Sequence, residues 1–325
     1  MSDYKSTILV TGGTIGIGYE ATLAIAAERP DSRIVICSRT DPDSAAVSIN
    51  NRLRQSNVVF MPVDLSSMDS VRAFSKSLVK AYPAPISALV LNAGIQLASG
   101  VKHSVDGVES TFAVNHVGQA LLLFLLAPHL AADARVIVVA SGVHFQPDEM
   151  RTGMPAAKYT SAEVFAHPQP DAKNAERPGA RRYCESKLAN VLWTYAVARR
   201  FGELGRGWTI NAYDPGLVPG TGLARDYPAF LQLAWKYLMP YLLPLLRILA
   251  GNKHINTAPV AGKAMAHVAL SKEVRGVTGK YFEGAKECKS GRASYNVEHQ
   301  EDLWRWTVDF VARDANEKAT FERFQ

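Results

Sequence analysis

The chain holds 325 residues, 47% hydrophobic and 20% charged, a balance that excludes a disordered or collagen-like polymer and supplies a sizeable core. Its 36 Lys and Arg stand against 30 Asp and Glu, and this thin, scattered surplus argues against nucleic acid as a partner. The three cysteines, Cys37, Cys184 and Cys288, show no CxxC spacing and suit a reducing compartment. The polar Met1–Thr7 run leaves no room for a signal peptide, so a cytoplasmic location and no metal site are the expectations.

From Thr7 onward, apolar β-branched runs alternate with longer segments of helical period. Strands are predicted at Thr7–Val10, Arg33–Cys37, Val58–Val63, Ile86–Leu91, Arg135–Ala140 and Thr209–Tyr213, with a weaker run at Gly279–Phe282. Helices are predicted at Gly16–Arg29, Ser44–Gln55, Met68–Ala81, Val105–Leu130, Ala180–Phe201 and Thr257–Leu270. Most of the strand runs are apolar on both sides of the alternation, as strands buried on two faces should be. The pattern predicts a single doubly wound α/β domain over residues 1–325, with a mostly seven-stranded parallel sheet and helices on both faces.

Two stretches break the rhythm. Residues 142–182 carry five prolines and little periodicity, and read as an irregular excursion that borders the reaction centre. Tyr227–Ala250 is apolar, but Pro240, Pro244 and the cations Lys236 and Arg247 interrupt it, which argues against a transmembrane span. With its flanks it reads as an apolar substrate lid over 217–256.

Thr11-Gly12-Gly13-Thr14-Ile15-Gly16-Ile17-Gly18 lies between the first strand and the first helix. Gly12 permits a sharp turn, Gly16 lets backbone approach a pyrophosphate, and Gly18 lets the helix pack close to the strand. The free N–H groups at the helix start favour phosphate charge. The next strand ends in Ser38-Arg39, where an acidic residue would select NAD and a cation accommodates the extra phosphate of NADP, so NADP(H) is the expected cofactor. Asp64, followed by Leu65, either meets the adenine or caps the helix behind it.

Asn92-Ala93-Gly94 closes the fourth strand, Asn115 lies in the following helix, and Ser141 ends the fifth strand. Tyr183 and Lys187 sit four apart on one helix face. A phenol titrates near 10, and lowering it to neutrality takes about 4 kcal/mol of preferential phenolate stabilisation. A desolvated Lys187 ammonium with an oxidised nicotinamide would supply that stabilisation. In the reductive direction the same tyrosine donates a proton to the substrate oxygen, which Ser141 holds.

Thr11–Gly18, Asp64-Leu65, Asn92-Ala93-Gly94, Asn115, Ser141, Tyr183/Lys187 and Pro215-Gly216 together resemble the short-chain dehydrogenase/reductase family across essentially the whole chain. Asp64–Arg72, Val114–Gly118 and Tyr183–Asn190 are most similar to its retinol dehydrogenase and protochlorophyllide reductase branch. The resemblance implies a Rossmann-like fold and a catalytic set of Asn115, Ser141, Tyr183 and Lys187. It implies that Asn115 completes a proton relay, that Lys187 binds the nicotinamide ribose, and that Pro215, Gly216 and Val218 line the nicotinamide. The family's threonine five residues past the proline is replaced by Gly220, so Thr221 takes the cofactor contact by one shift. Leu217 stands where light-driven pigment reductases carry a cysteine, which argues against photochemistry.

The expected activity is NADPH-dependent reduction of a ketone or aldehyde, reversible as alcohol oxidation, on a hydrophobic substrate of the secondary-metabolite kind. His144, Phe145, Leu217 and Tyr227 are the candidate substrate contacts. The competing readings are an NADPH-binding module without turnover and a biosynthetic enzyme of non-redox or cascade chemistry. The apolar lid leaves a homo-oligomer contact or weak membrane-surface contact as alternative uses of that segment.

Overall fold

The computed structural model describes residues 4–98, 100–150, 152–170, 177–221, 233 and 255–324. Eight strands form one sheet: β1 Ser6–Thr11, β2 Ser32–Ser38, β3 Val58–Pro62, β4 Ile86–Leu91, β5 Leu130–Val139, β6 Thr209–Asp214, β7 Tyr281–Glu283 and β8 Lys286–Cys288. Their order is β3-β2-β1-β4-β5-β6-β7-β8, parallel throughout except for the β7/β8 hairpin. The expected seven strands are therefore joined by an eighth. Gly284, at φ +59, supplies the left-handed turn residue that folds Lys286–Cys288 back on β7.

Alternation along each strand feeds two cores. Ile8, Val10, Ile34 and Ile36 face α1 (Gly16–Glu28), α2 (Ala45–Leu53) and α7 (Ala258–Leu270). Leu9, Val35 and Cys37 face the opposite layer, built on α3 (Met68–Ala81), the helical segment α4 (Ser110–His129) and α6 (Pro178–Glu203). α4 starts later than the predicted Val105, because Glu109 caps it by accepting from the Phe112 N–H at 2.7 Å. It is long and apolar enough to cross a membrane, yet 83% of its apolar window is buried inside the protein.

Within 142–182, α5 spans Ala162–Ala166. The excursion returns at Pro178, whose fixed φ suits the first turn of α6. Two helices beyond the predicted set, α8 (Val297–Val311) and α9 (Ala315–Arg323), close over α4 and α6. Trp304 stacks on Trp193 at 5.2 Å and Phe321 on Phe124 at 4.8 Å, so Trp304 serves packing, as its surroundings suggest. β1 and β4 are neighbours, and the chain winds away from them in opposite directions. That switch point opens a crevice at the carboxyl ends of the strands.

Candidate active site

A cleft of about 1050 Å³ occupies this crevice, a volume at the top of the range of about 300–1,000 Å³ for small-molecule sites. One end is built by the glycine loop. Gly12 and Gly16 take φ +65 and +58, and a Cβ on Gly18 would stand 2.1 Å from the Gly12 carbonyl oxygen. Ile15 begins α1 without any side-chain cap, so the first N–H groups of the helix remain for a ligand at the cleft wall formed by Gly16, Ile17 and Gly18. Asn92 braces the loop from β4, its Nδ2 donating to Thr11 O at 2.8 Å and Gly12 O at 3.3 Å. Gln119, which carries no local sequence signal, adds a second brace by donating to Ala93 O at 2.9 Å and reaching Thr11 Oγ1. The cradle fits a dinucleotide pyrophosphate.

At the end of β2, Thr14 and Ser38 share a hydrogen bond of 3.2 Å and Arg39 lines the cleft. The next carboxylate along the chain, Asp41, does not line the cleft and accepts from the Ala45 N–H at 2.8 Å at the start of α2. Asp64 and Leu65 line the cleft too. Asp64 Oδ1 accepts from the Ser66 N–H and hydroxyl at 2.9 and 2.6 Å, so that oxygen acts as a local cap while the residue keeps its place on the wall.

The chemistry-bearing side chains converge at the other end. Asn115 sits in a π turn of α4, Ala113–Val117, a distortion that sets its amide toward β4. It accepts from Ile95 N at 2.7 Å and donates to Ile95 O and Ser186 Oγ, each at 3.0 Å. Ser141 caps the short turn after β5, its Oγ accepting from Val143 N at 3.4 Å, and shares the cleft wall with Tyr183. Lys187 Nζ lies 5.7 Å from the centre of the Tyr183 ring and donates to Val139 O at 2.8 Å, an oxygen that Asn190 also contacts. Burial pulls Lys187 down to about 8, and Asp214 opposes that fall.

Tyr183 is buried on the cleft wall beside Ser141 and Lys187. Burial, with Cys184 and Asp214 adding to it, pushes the phenol above its ordinary value, while Ser141 pulls it down. The chain's own groups therefore keep the proton on Tyr183 at neutral pH, which is the state a proton donor needs.

A family model described as short chain dehydrogenase matches residues 6–167. Human retinol dehydrogenase 12 is 30% identical over 308 residues, covering 94% of this chain and 85% of the relative. The chain belongs to the short-chain dehydrogenase/reductase family. Human polyprenol dehydrogenase, a second relative, is 30% identical over 304 residues, covering 91% of this chain and 82% of its own. A short chain dehydrogenase from Burkholderia cenocepacia J2315, solved in complex with NADP, aligns at TM-score 0.60 and 21% identity over 87% of this chain and 97% of that one. A 3-oxoacyl-(acyl-carrier protein) reductase from Brucella melitensis, in complex with NAD, aligns at TM-score 0.59 and 18% identity over 90% and 98%. At those identities the two structures show the fold alone.

The remaining site of this short-chain dehydrogenase is built by the ends of β5 and β6. Gly94 brings the loop after β4 close to both side chains: a Cβ there would meet Asn115 Oδ1 at 3.3 Å and Lys187 Nζ at 3.6 Å. Asp214 ends β6 and its Oδ1 accepts from Gly216 N at 2.8 Å, fixing the Pro215–Gly216 turn. Val218 and Thr221 follow on the cleft wall, with the Thr221 methyl 3.5 Å from the position a Gly16 Cβ would take. Apolar walls come from Leu97, Val143, Met150, Met154, Leu217 and Ile255.

Two candidate substrate contacts fall away from the cleft. His144 is fully buried, its Nδ1 hydrogen-bonded to Ser141 O at 2.7 Å and its Nε2 accepting from Gly291 N at 2.9 Å, so both ring nitrogens are committed to structure. Phe145 packs on His144 and Tyr281, behind the cleft wall. Leu217 does line the cleft, whereas Tyr227 and most of the 217–256 stretch lie outside the described residues. Missed from sequence are Gln119, Asp214 and Glu283, the last a cleft-lining carboxyl pushed up to about 7 by burial and then by Asp214.

Proposed function

We propose that the protein is an NADPH-dependent reductase of a hydrophobic ketone or aldehyde, running in reverse as an alcohol dehydrogenase. The observation that carries this reading is the convergence of Ser141, Tyr183 and Lys187 on one cleft with the glycine cradle. When bound, the dihydronicotinamide supplies a hydride to the carbonyl carbon, leaving the oxidised cofactor. Tyr183 donates its hydroxyl proton to the carbonyl oxygen, completing the alcohol, while Ser141 holds that oxygen. Lys187 and the Pro215–Gly216 turn orient the nicotinamide half, and Asn115 with Lys187 returns a proton to Tyr183 by way of solvent. The cradle of Gly12, Gly16 and Gly18 holds the pyrophosphate, and Arg39 takes the 2′-phosphate because Asp41 is tied to α2.

The apolar walls favour a substrate with little polarity beyond its carbonyl, in keeping with two relatives named for retinol and polyprenol. Loss of nicotinamide absorbance over a panel of apolar and polar carbonyl compounds, with NADPH and NADH in parallel, tests the proposal. Turnover confined to apolar members with NADPH is the expected result. No turnover with any member, or a preference for NADH, contradicts it.

A further inference from the structure

Asp214 is only 1% exposed, and burying a carboxylate is costly unless hydrogen bonds compensate. Two do: Gly216 N donates to Oδ1 and the Tyr281 hydroxyl donates to Oδ2, both at 2.8 Å. The first closes the Pro215–Gly216 turn; the second reaches the next strand. The position is close to the chemistry. Val139, whose carbonyl holds Lys187 Nζ, pairs across the sheet with Tyr213, the residue before Asp214. A Cβ on Gly142, directly after Ser141, would lie 3.1 Å from Asp214 Oδ2.

We propose that Asp214 is a positioning residue of the reaction, holding the Pro215–Gly216 turn with one oxygen while its charge, anchored by Tyr281, acts on Lys187 and Tyr183. The proposal rests on the reductase reading above. An asparagine would keep an oxygen for the Gly216 N–H and offer its NH2 to the Tyr281 hydroxyl, which can turn to accept, so the hydrogen bonds alone do not call for an acid. The charge acts in one direction on every group that faces it. It raises Lys187 and Tyr183 from α6, His144 from the turn after β5, Tyr213 on its own strand, Tyr281 and Glu283 on β7, and Cys288 on β8. For Lys187 this offsets the loss caused by burial, and for Tyr183 it reinforces retention of the proton. Both effects favour donation to a carbonyl oxygen over removal of a proton from an alcohol.

Asp214→Asn keeps an oxygen for the Gly216 N–H and removes the charge. The expected result is that the alkaline limb of reductive kcat/KM moves about one unit to lower pH, with cofactor KM changed much less. Above the limb the variant then falls about tenfold below the parent. Tyr281→Phe removes the hydrogen bond to Oδ2 but keeps the charge, and leaves the limb in place. Should Asp214→Asn not fold, Asp214→Ser, checked by thermal melting, reads the same shift. A folded variant whose limb superimposes on the parent's overturns the proposal, as does an equal shift in Tyr281→Phe. Absence of turnover in the parent refutes the reductase reading instead.

Discussion

Gly18→Ala tests the cofactor cradle with a single methyl group. Its Cβ would stand 2.1 Å from the Gly12 carbonyl oxygen and 2.6 Å from Asn92 Nδ2, where ordinary contact begins at 3.4 Å. Neither neighbour can yield cheaply: Gly12 sits at φ +65 in the turn, and the Asn92 amide is tied to Thr11 O. The loop must retreat from the helix by more than an ångström. Overpacking of this kind costs about 1–3 kcal/mol and the broken Asn92 bond about 1 kcal/mol, against a helix-propensity gain of about 1 kcal/mol. The net expectation is a loss of about 1–3 kcal/mol, with NADPH affinity falling at least about tenfold as the helix N–H groups shift. Gly202→Ala is the control, since Gly202 is exposed in α6 with nothing within 4 Å of a Cβ, and it should gain about 0.5–1 kcal/mol. Urea unfolding midpoints and an NADPH fluorescence titration read both variants. A Gly18→Ala protein with the parent's midpoint and affinity refutes the packing argument.

Arg39→Ala should weaken NADPH binding about tenfold or more while leaving NADH within about twofold, because a charge-assisted bond to phosphate is lost. Isothermal titration with both cofactors checks this, and equal losses would count against the 2′-phosphate role. Glu301 is held down to about 2 by the Arg200 hydrogen bond, aided by Arg199 and opposed by burial. A depressed carboxyl contributes stability above its unfolded value of about 4.3 and loses it as pH falls through the folded value. The stability gap between the parent and Glu301→Gln should therefore be constant from about pH 7 to 5 and close toward pH 2 in thermal melts. A gap independent of pH would show that the charge contributes nothing there.

The parallel sheet and many cleft-lining positions were legible because strands buried on both faces leave unbroken apolar runs, and their last residues mark the ligand-binding edge. β8 was missed because Lys286–Cys288 is charged, with its pairing set by a glycine turn rather than by apolar pattern. α8 was missed because Val297–Val311 mixes charges with aromatic residues after the last apolar strand. His144 looked like a contact because its partner, Gly291, lies 147 residues away. The burial of the Tyr183 ring, and the Asp214 charge acting on it, were likewise out of reach of a Tyr–Lys spacing. Gln119 and Asp214 act through contacts made only after the helices and strands have packed.

In the proposed reaction Tyr183 gives its proton to the same substrate molecule that receives the hydride. Stopped-flow single turnovers of Tyr183→Phe with C4-deuterated NADPH and a turned-over carbonyl test it most directly. NADPH binding should be unchanged and the transfer rate lowered about 10²–10⁴-fold. A variant that transfers deuterium to product at the parent's rate would contradict it.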